Sequence, residues 1–266
     1  MDENYVDVQK PKHLKRRITF GIVALVLIVL YIIAFSMTDL TYHGSSISSS
    51  GILKRLFWGT FFDPVTQGRI GEFTLLMFQT LAIAYAGTAI AAVVAIPFAF
   101  LAANNMLKRF SYFGKLFLDA IRAFPELVLA IIFVGSFGIG PYAGVLAIGV
   151  HSIGMLGKLY SEVIESIDMT VIEALKANGA NKIQIMWFGV LPQVIPEFSS
   201  FAIYRYEIDV RASTILGVVG AGGIGTPLIL ASMQRNWEQV GMMLILIIIF
   251  VSIIDFISAQ IRKRLV

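Results

Sequence analysis

Apolar and polar residues in this chain fall into long blocks, without the alternation of a half-buried strand or the single stripe of a surface helix. Apolar blocks occupy about 18–37, 73–103, 117–137, 142–160, 198 to the glycines near 217, and 240–259. A helix needs about 20 mostly apolar residues to cross a bilayer's hydrocarbon core. The pattern therefore predicts an all-α, polytopic protein with six spans. Pro97 lies in the second half of the second block, where it should kink or end a straight helix. The first block is longer and bulkier than a signal-peptide core, so it reads as an anchor that is kept. Between the first two blocks, "ILKRLFWGTFF" places Ile52, Leu53, Leu56 and Phe57 near one helical face, with Lys54 and Arg55 beside them. That suits a short helix lying in the interface, with Trp58 at headgroup level.

Charge orients the spans. Lys10, Lys12, Lys15, Arg16 and Arg17 precede the first block, Lys108, Arg109 and Lys115 separate the second from the third, and Arg262, Lys263 and Arg264 follow the last. The polar segment 161–197, too polar to span, carries Lys176 and Lys182. Cytoplasmic loops collect Lys and Arg, and six spans with both ends inside place all of these clusters there at once. Two regions result: 1–72, an N-terminal anchor and external segment, and 73–266, a transmembrane domain whose cytoplasmic loop is 161–197.

Composition agrees. Hydrophobic residues make up 57% and charged residues 14%, against about 25% charged in soluble domains. Lipid is thus the solvent for much of the surface. The net charge of +4 fits cytoplasmic loops and calls for no nucleic acid. With no cysteine, disulfide and thiolate chemistry are excluded. His13, His43 and His151 are scattered and form no ligand cluster, and no nucleophile–base pair is visible, so a membrane-embedded enzyme has no constellation to work with. His151 reads as a packed polar residue or as one facing a pathway.

"GVVGAGGIGTPL" contains a G-x-G-x-x-G at Gly220, Gly222 and Gly225. A dinucleotide site needs a strand before the glycines, a helix after them, and an acid about 20 residues on. Here an apolar helix precedes them, Pro227 follows, and Glu238 comes too soon. What remains is a backbone role, positive φ and close approach, in a turn at the outer face or a packed gate.

The polar segment reads "DMTVIEALKANGANKIQIMWFGVLPQVIP". Thr170 with Glu173 has capping-box spacing and predicts a short helix from Val171. Gly179 stands where a C′ glycine would end it. Asn181 with Gln184 opens a second helix through about Val190, stopped by Pro192. Two short helices thus hinge at Gly179–Ala180. Val171, Ile172, Leu175, Ile183, Ile185 and Met186 are more apolar surface than a solvated loop carries. They pack on the chain's own helix ends or, the sharper reading, dock on a partner.

This segment resembles the EAA motif of ABC importer permeases, E-A-A-x3-G-x9-I-x-L-P, with Glu173, Ala174, Gly179, Leu191 and Pro192 in register. Leu175 replaces the second alanine, and Gly189 stands at the isoleucine position. "AIPFAFLAANN", "RAFPELVLAIIF" and "YRYEIDVRASTILGVVGAGGIG" are similar to the phosphonate permease group, and methionine permeases share a related glycine-rich ending. The resemblance implies a type I ABC importer permease fold in a prokaryotic cell membrane. It implies a loop coupled to a separate ATPase through Glu173, Ala174, Leu175, Gly179, Ala180, Leu191 and Pro192. It also implies two permease copies with two ATPases, and an extracytoplasmic binding protein. The chain has no G-x-x-x-x-G-K-[ST], so no cofactor is expected on it, and ATP with Mg belongs to the partner.

"YRYEIDVR" places four charges inside the fifth span. Each is expensive in the bilayer if unpaired, and the spacing offers Arg205–Asp209 and Glu207–Arg211 as i,i+4 pairs. The pairs lie on nearly opposite faces, so at least one faces protein or a water-filled cavity. They form a structural lattice, or Arg205 or Arg211 lends positive potential to an anion pathway. Ser213, Gly220, Gly222 and Gly223 complete that candidate translocation path. "RAFPE" offers a further pair, Arg122 with Glu126, read as structural. The functional expectation is a non-catalytic permease subunit of an ATP-driven importer of phosphonate or a related phosphorus oxyanion, working by alternating access. The rivals are a methionine permease and an ion-coupled secondary transporter or channel. The latter would show a lone intramembrane acid.

Overall fold

The computed structural model describes residues 14–37, 49–106 and 111–265. Lys10, Lys12, His13, His43, Lys108 and Arg109 lie outside the described residues. The chain divides into two compact units, Met1–Ser48 and Ser49–Val266. Within the first, α1 (Leu14–Met37) carries the exposed apolar stretch Phe20–Ile33.

Every regular element among the described residues of the second unit is helical. Short α2 (Ser49–Lys54), α3 (Thr60–Phe62) and α4 (Pro64–Gly68), with a π-turn at Arg55–Gly59, lead into α5 (Ile70–Ala102). Then follow α6 (Ser111–Ala123), α7 (Glu126–Phe137) and α8 (Pro141–Ser166). The polar loop forms α9 (Met169–Ala177) and α10 (Lys182–Ile185), and α11 (Leu191–Leu216), α12 (Gly225–Met233) and α13 (Trp237–Leu265) complete the chain.

The apolar blocks correspond to these helices, with three differences. The third block is two helices, because Pro125 has no N–H to give and forces Phe124 out of the helical region. By length and composition α5, α8 and α13 suffice to cross a membrane, while Glu126–Phe137 is apolar but short. Pro97 does not end α5, which runs on to Ala102. Pro192 does not stop a helix either. The π-turn at Met186–Val190 takes up the missing hydrogen bond, and the chain stays helical into α11.

Small residues set the packing. A Cβ on Gly87 of α5 would stand 2.7 Å from Ile148 Cγ2 of α8, and one on Gly157 of α8 would stand 2.6 Å from Leu118 Cδ2 of α6. Without a hydrophobic force between helices in lipid, such close approach supplies the van der Waals attraction. Contacts advance together along α5 and α8 (Ile83 near Gly144, Gly87 near Ile148), so these two run parallel. They advance oppositely along α5 and α11, where Thr88 meets Asp209 and Thr80 meets Ser213. Consecutive passes therefore alternate in direction.

The larger unit starts ahead of the residue-73 boundary drawn from the sequence. Arg55 Nε lies 2.7 Å from Glu238 Oε1, and the Thr60 hydroxyl lies 3.0 Å from the Glu238 carbonyl. Gly241 lets the Leu56 carbonyl approach where a side chain would collide. Leu53, Phe57 and Trp58 stay exposed on that segment, while Leu56 turns inward to the core around Phe73 and Met243.

Candidate functional site

Three features of the second unit carry the candidate residues: a buried ionic cluster, the glycine turn, and the polar loop.

The cluster gathers around Arg205, which is 3% exposed. Its Nη2 lies 2.7 Å from Asp209 Oδ1, so the i,i+4 pair read from the sequence forms. That approach is off the donor axis and leaves Oδ1 without a hydrogen bond; the contact is ionic. Asp209 Oδ2 is held by the hydroxyls of Thr88 at 2.7 Å and Ser152 at 2.9 Å. Ser152 also accepts from Arg205 Nε at 2.9 Å. Arg205 pairs as well with Glu126, the first residue of α7. His151 Nδ1 lies 2.7 Å from Glu126 Oε1. The same nitrogen lies 3.0 Å from Arg205 Nη2, so the imidazole sits between the carboxylate and the guanidinium. One arginine thus answers two carboxylates from α7 and α11, with hydroxyls from α5 and α8. Removing one partner of a buried pair strands a charge.

This corrects two expectations. Arg122 does not pair with Glu126, because the break at Pro125 puts them on different helices and Arg205 with His151 takes the carboxylate. His151 is no isolated packed residue but a member of the cluster. Glu126, His151, Ser152 and Thr88 were missed as a group, since they lie 53 to 121 residues from Arg205 and Asp209. The only local signal was "PE" at a helix start, where an acid complements the positive end.

The other pair also forms and extends across to α13. Arg211 Nη2 lies 2.9 Å from Glu207, Arg211 Nη1 lies 3.0 Å from Asp255, and Arg262 reaches the second oxygen of Glu207 at 3.0 Å. Arg262 further lies over the Tyr204 ring, 5.4 Å from its centroid.

At the other end of α11, Gly220, Gly222 and Gly223 have φ of +88°, +84° and +76°. The N–H of Gly220 bonds the Gly217 carbonyl and that of Ala221 the Leu216 carbonyl, a helix end closed by a left-handed glycine. The turn is packed, with no cradle left open. Thr80 Oγ1 accepts from Ile224 N at 2.9 Å, Ser213 donates to the Thr80 carbonyl at 3.2 Å, and Gly220 O accepts from Gly140 N at 2.9 Å.

In the polar loop the capping differs from expectation. Asp168, not Thr170, caps α9, accepting from Thr170 N at 2.8 Å. The Thr170 hydroxyl and N–H hold its carboxyl below the usual carboxylate range. Glu173 is therefore deeper in the helix than a capping box allows, and it is exposed. Gly179, with φ +80°, ends α9 as expected: Gly179 N bonds Lys176 O and Ala180 N bonds Leu175 O. Asn181 and Gln184 form the capping box read from the sequence. The apolar residues divide. Ile172, Ile185 and Met186 pack into the chain's own core beside Tyr160 and Phe198, while Val171, Ile183, Trp187 and Phe188 stay exposed. Among the motif residues, Ala174, Gly179 and Pro192 are exposed and Leu175, Ala180 and Leu191 half-buried. Gln193, which sequence reading passed over, accepts from Asp168 N at 2.8 Å and donates to the Gly189 carbonyl at 2.7 Å, tying α9 to α11.

The two motif departures touch. A Cβ on Gly189 would stand 3.0 Å from Leu175 Cδ1. Leu175 thus reaches into the space that a side chain at 189 would need.

A bundle of alternating membrane helices with a short-helix loop packed on its polar end defines a membrane permease domain. The sequence profile of the binding-protein-dependent transport system inner membrane component family matches residues 95–266, and the chain belongs to that family. It is 44% identical over 190 residues to the phosphite transport system permease protein PtxC of Stutzerimonas stutzeri, covering 71% of this chain and 69% of that one. A cryptic phosphonate transport system permease protein, PhnE2, of Escherichia coli K12 is 43% identical over 121 residues, covering 46% and 99%. Among solved structures, the methionine ABC transporter MetNI in inward-facing conformations matches with a TM-score of 0.64 at 20% identity, covering 73% of this chain and 96% of that one. The fold is that of ABC importer permeases, and the chain is a membrane permease subunit rather than an enzyme.

Proposed function

We propose that two copies of this chain form the translocation path of an ATP-driven importer for phosphite, phosphonate or a related phosphorus oxyanion. The identity to a phosphite permease over 71% of the chain carries this reading. A separate ATPase, which holds the ATP and Mg, docks on the loop through the exposed Glu173 and Ala174 and the hinge at Gly179 and Ala180. An extracytoplasmic binding protein delivers the substrate, and both termini lie in the cytoplasm. The four charges of α11, Ser213 and the glycine turn stand along the path. Arg205 is neutralised by Glu126 and Asp209, so there it orders the helices more than it attracts an anion. Arg211 is the half-exposed cation of the pair that remains.

The test is uptake by proteoliposomes holding the permease, its ATPase and its binding protein. ATP-dependent accumulation of phosphite or methylphosphonate is expected. Accumulation of methionine instead, or uptake driven by an ion gradient without ATP, would overturn the reading.

A further inference from the structure

The polar loop forms a groove of about 380 Å³. Met106, Met169 and Met186 line it, together with Lys176 and Lys182, which are both exposed. Every lining residue lies past the end of α5 at Ala102, or between the end of α8 at Ser166 and the start of α11 at Leu191. The groove therefore belongs to the loop side of the bundle and not to the long helix faces that cross the membrane.

Its lining is apolar and cationic at once. Lys115 and Lys158 pair with carboxylates. Lys176 and Lys182 have none within salt-bridge distance among the described residues, and no described carboxylate lines the groove. Asn105, which also lines it, donates its side-chain amide to the Ile164 carbonyl at 2.5 Å, and its buried Oδ1 has no donor among the described residues. A small hydrated oxyanion would leave the methionines against water. A lipid chain stays in the hydrocarbon layer that the long helices cross. A protein segment suits all three features. An apolar side chain fits among the methionines, whose unbranched chains adapt to its shape. A carboxylate answers the two lysines, and an N–H supplies the donor that Asn105 lacks.

We propose that this groove receives a segment of the ATPase subunit that presents an apolar side chain next to a carboxylate. This rests on the importer reading above and adds a second contact to it, apart from the exposed motif residues Glu173 and Ala174. The groove draws its walls from both short helices, which meet at the Gly179 hinge. From Lys182 the chain stays helical through the π-turn into α11. An occupant that moves α10 therefore moves the helix that carries Arg205 and Asp209.

The test measures binding of the ATPase to the permease in lipid nanodiscs. One variant carries Lys176→Glu with Lys182→Glu; another carries Met169→Asp, which sets a carboxylate on the groove wall. All three positions are exposed, so thermal unfolding should match the wild type. Lys263→Glu with Arg264→Glu, also exposed, makes the same charge change at the end of α13 and serves as the control. Each groove variant should weaken ATPase binding at least about tenfold, and the control less than about twofold. Added salt should weaken the wild type more than the double reversal. In the unaltered complex, a zero-length carbodiimide cross-link should join Lys176 or Lys182 to an ATPase carboxylate that has an apolar neighbour in sequence. Unchanged affinity in either groove variant, or cross-links to this chain's own carboxylates alone, would overturn the inference and leave the importer reading standing. A defect present in nanodiscs of anionic lipid and absent in phosphatidylcholine would make a lipid headgroup the occupant and overturn it equally. A wild-type permease that binds no ATPase would overturn the importer reading and this inference with it.

Discussion

At the residue scale, the buried cluster shows how a charge becomes tolerable inside a membrane protein. Arg205 balances Asp209 on its own helix and Glu126 on another, so removing it strands two carboxylates, whereas removing one carboxylate leaves the arginine a partner. Arg205→Ala should therefore be the most damaging single change. It should cost about 3–5 kcal/mol, the scale for breaking a buried pair. Asp209→Asn keeps the shape and an acceptor for Thr88 and Ser152, and should cost less. Thermal unfolding followed by size-exclusion chromatography in detergent ranks the two; equal stability would mean that Glu126 does not share the arginine. The i,i+4 half of this cluster was legible, because helical spacing alone brings those residues together. The rest was not. Nothing in the sequence says which face of α7 meets α11, and the local pair Arg122–Glu126 looked equally good until Pro125 separated its members.

At the element scale, the loop is set by caps and by one steric exchange. Asp168 outcompetes Thr170 as the N-cap because its short carboxylate reaches Thr170 N while Gln193 secures its own N–H. The helix starts two residues earlier than the capping-box spacing suggests. Glu173 then has no capping duty, so a loss of ATPase co-purification in Glu173→Gln would report on the partner contact itself. Gly179 has open space around it and a left-handed φ. Gly179→Val therefore suffers backbone strain alone, about 1–3 kcal/mol. It should leave the permease in the membrane while weakening binding-protein-stimulated ATP hydrolysis. Gly179→Asn, a residue that tolerates this conformation, should retain it. The Leu175–Gly189 contact makes a further demand. Gly189→Ile alone should clash with Leu175 and destabilise the loop by about 1–3 kcal/mol, as overpacking does. Leu175→Ala with Gly189→Ile should recover most of it. Measured by thermal stability and ATPase co-purification, a double variant no better than Gly189→Ile would mean that the two positions do not compensate.

At the scale of the whole molecule, the apolar blocks carried most of the architecture, because lipid demands continuous helices of a set length. They could not reveal the break in the third block, which rests on the single Pro125, nor the packing of residues 55–62 on α13, which depends on Gly241 admitting a backbone carbonyl. The direction of every pass follows from the pairwise registers once any one end is placed. α5 and α8 run parallel, α11 antiparallel to both, and Arg69 at the start of α5 bonds Gln239 at the start of α13 at 3.0 Å. Gly68, Ile139 and the glycine turn thus share one side of the bundle, while Lys182 and Arg262 share the other. Basic residues collect on the second side, and in the orientation proposed above that side is the cytoplasmic one. Gly68 has no neighbour within 4 Å of its Cβ and Ile139 is 81% exposed, so both tolerate a cysteine. In intact cells an impermeant maleimide should label Gly68→Cys and Ile139→Cys, and should label Lys182→Cys only after the membrane is opened. Labelling of Lys182→Cys from outside would invert the whole bundle at once, since no single helix can be reversed without breaking the registers that join it to its neighbours.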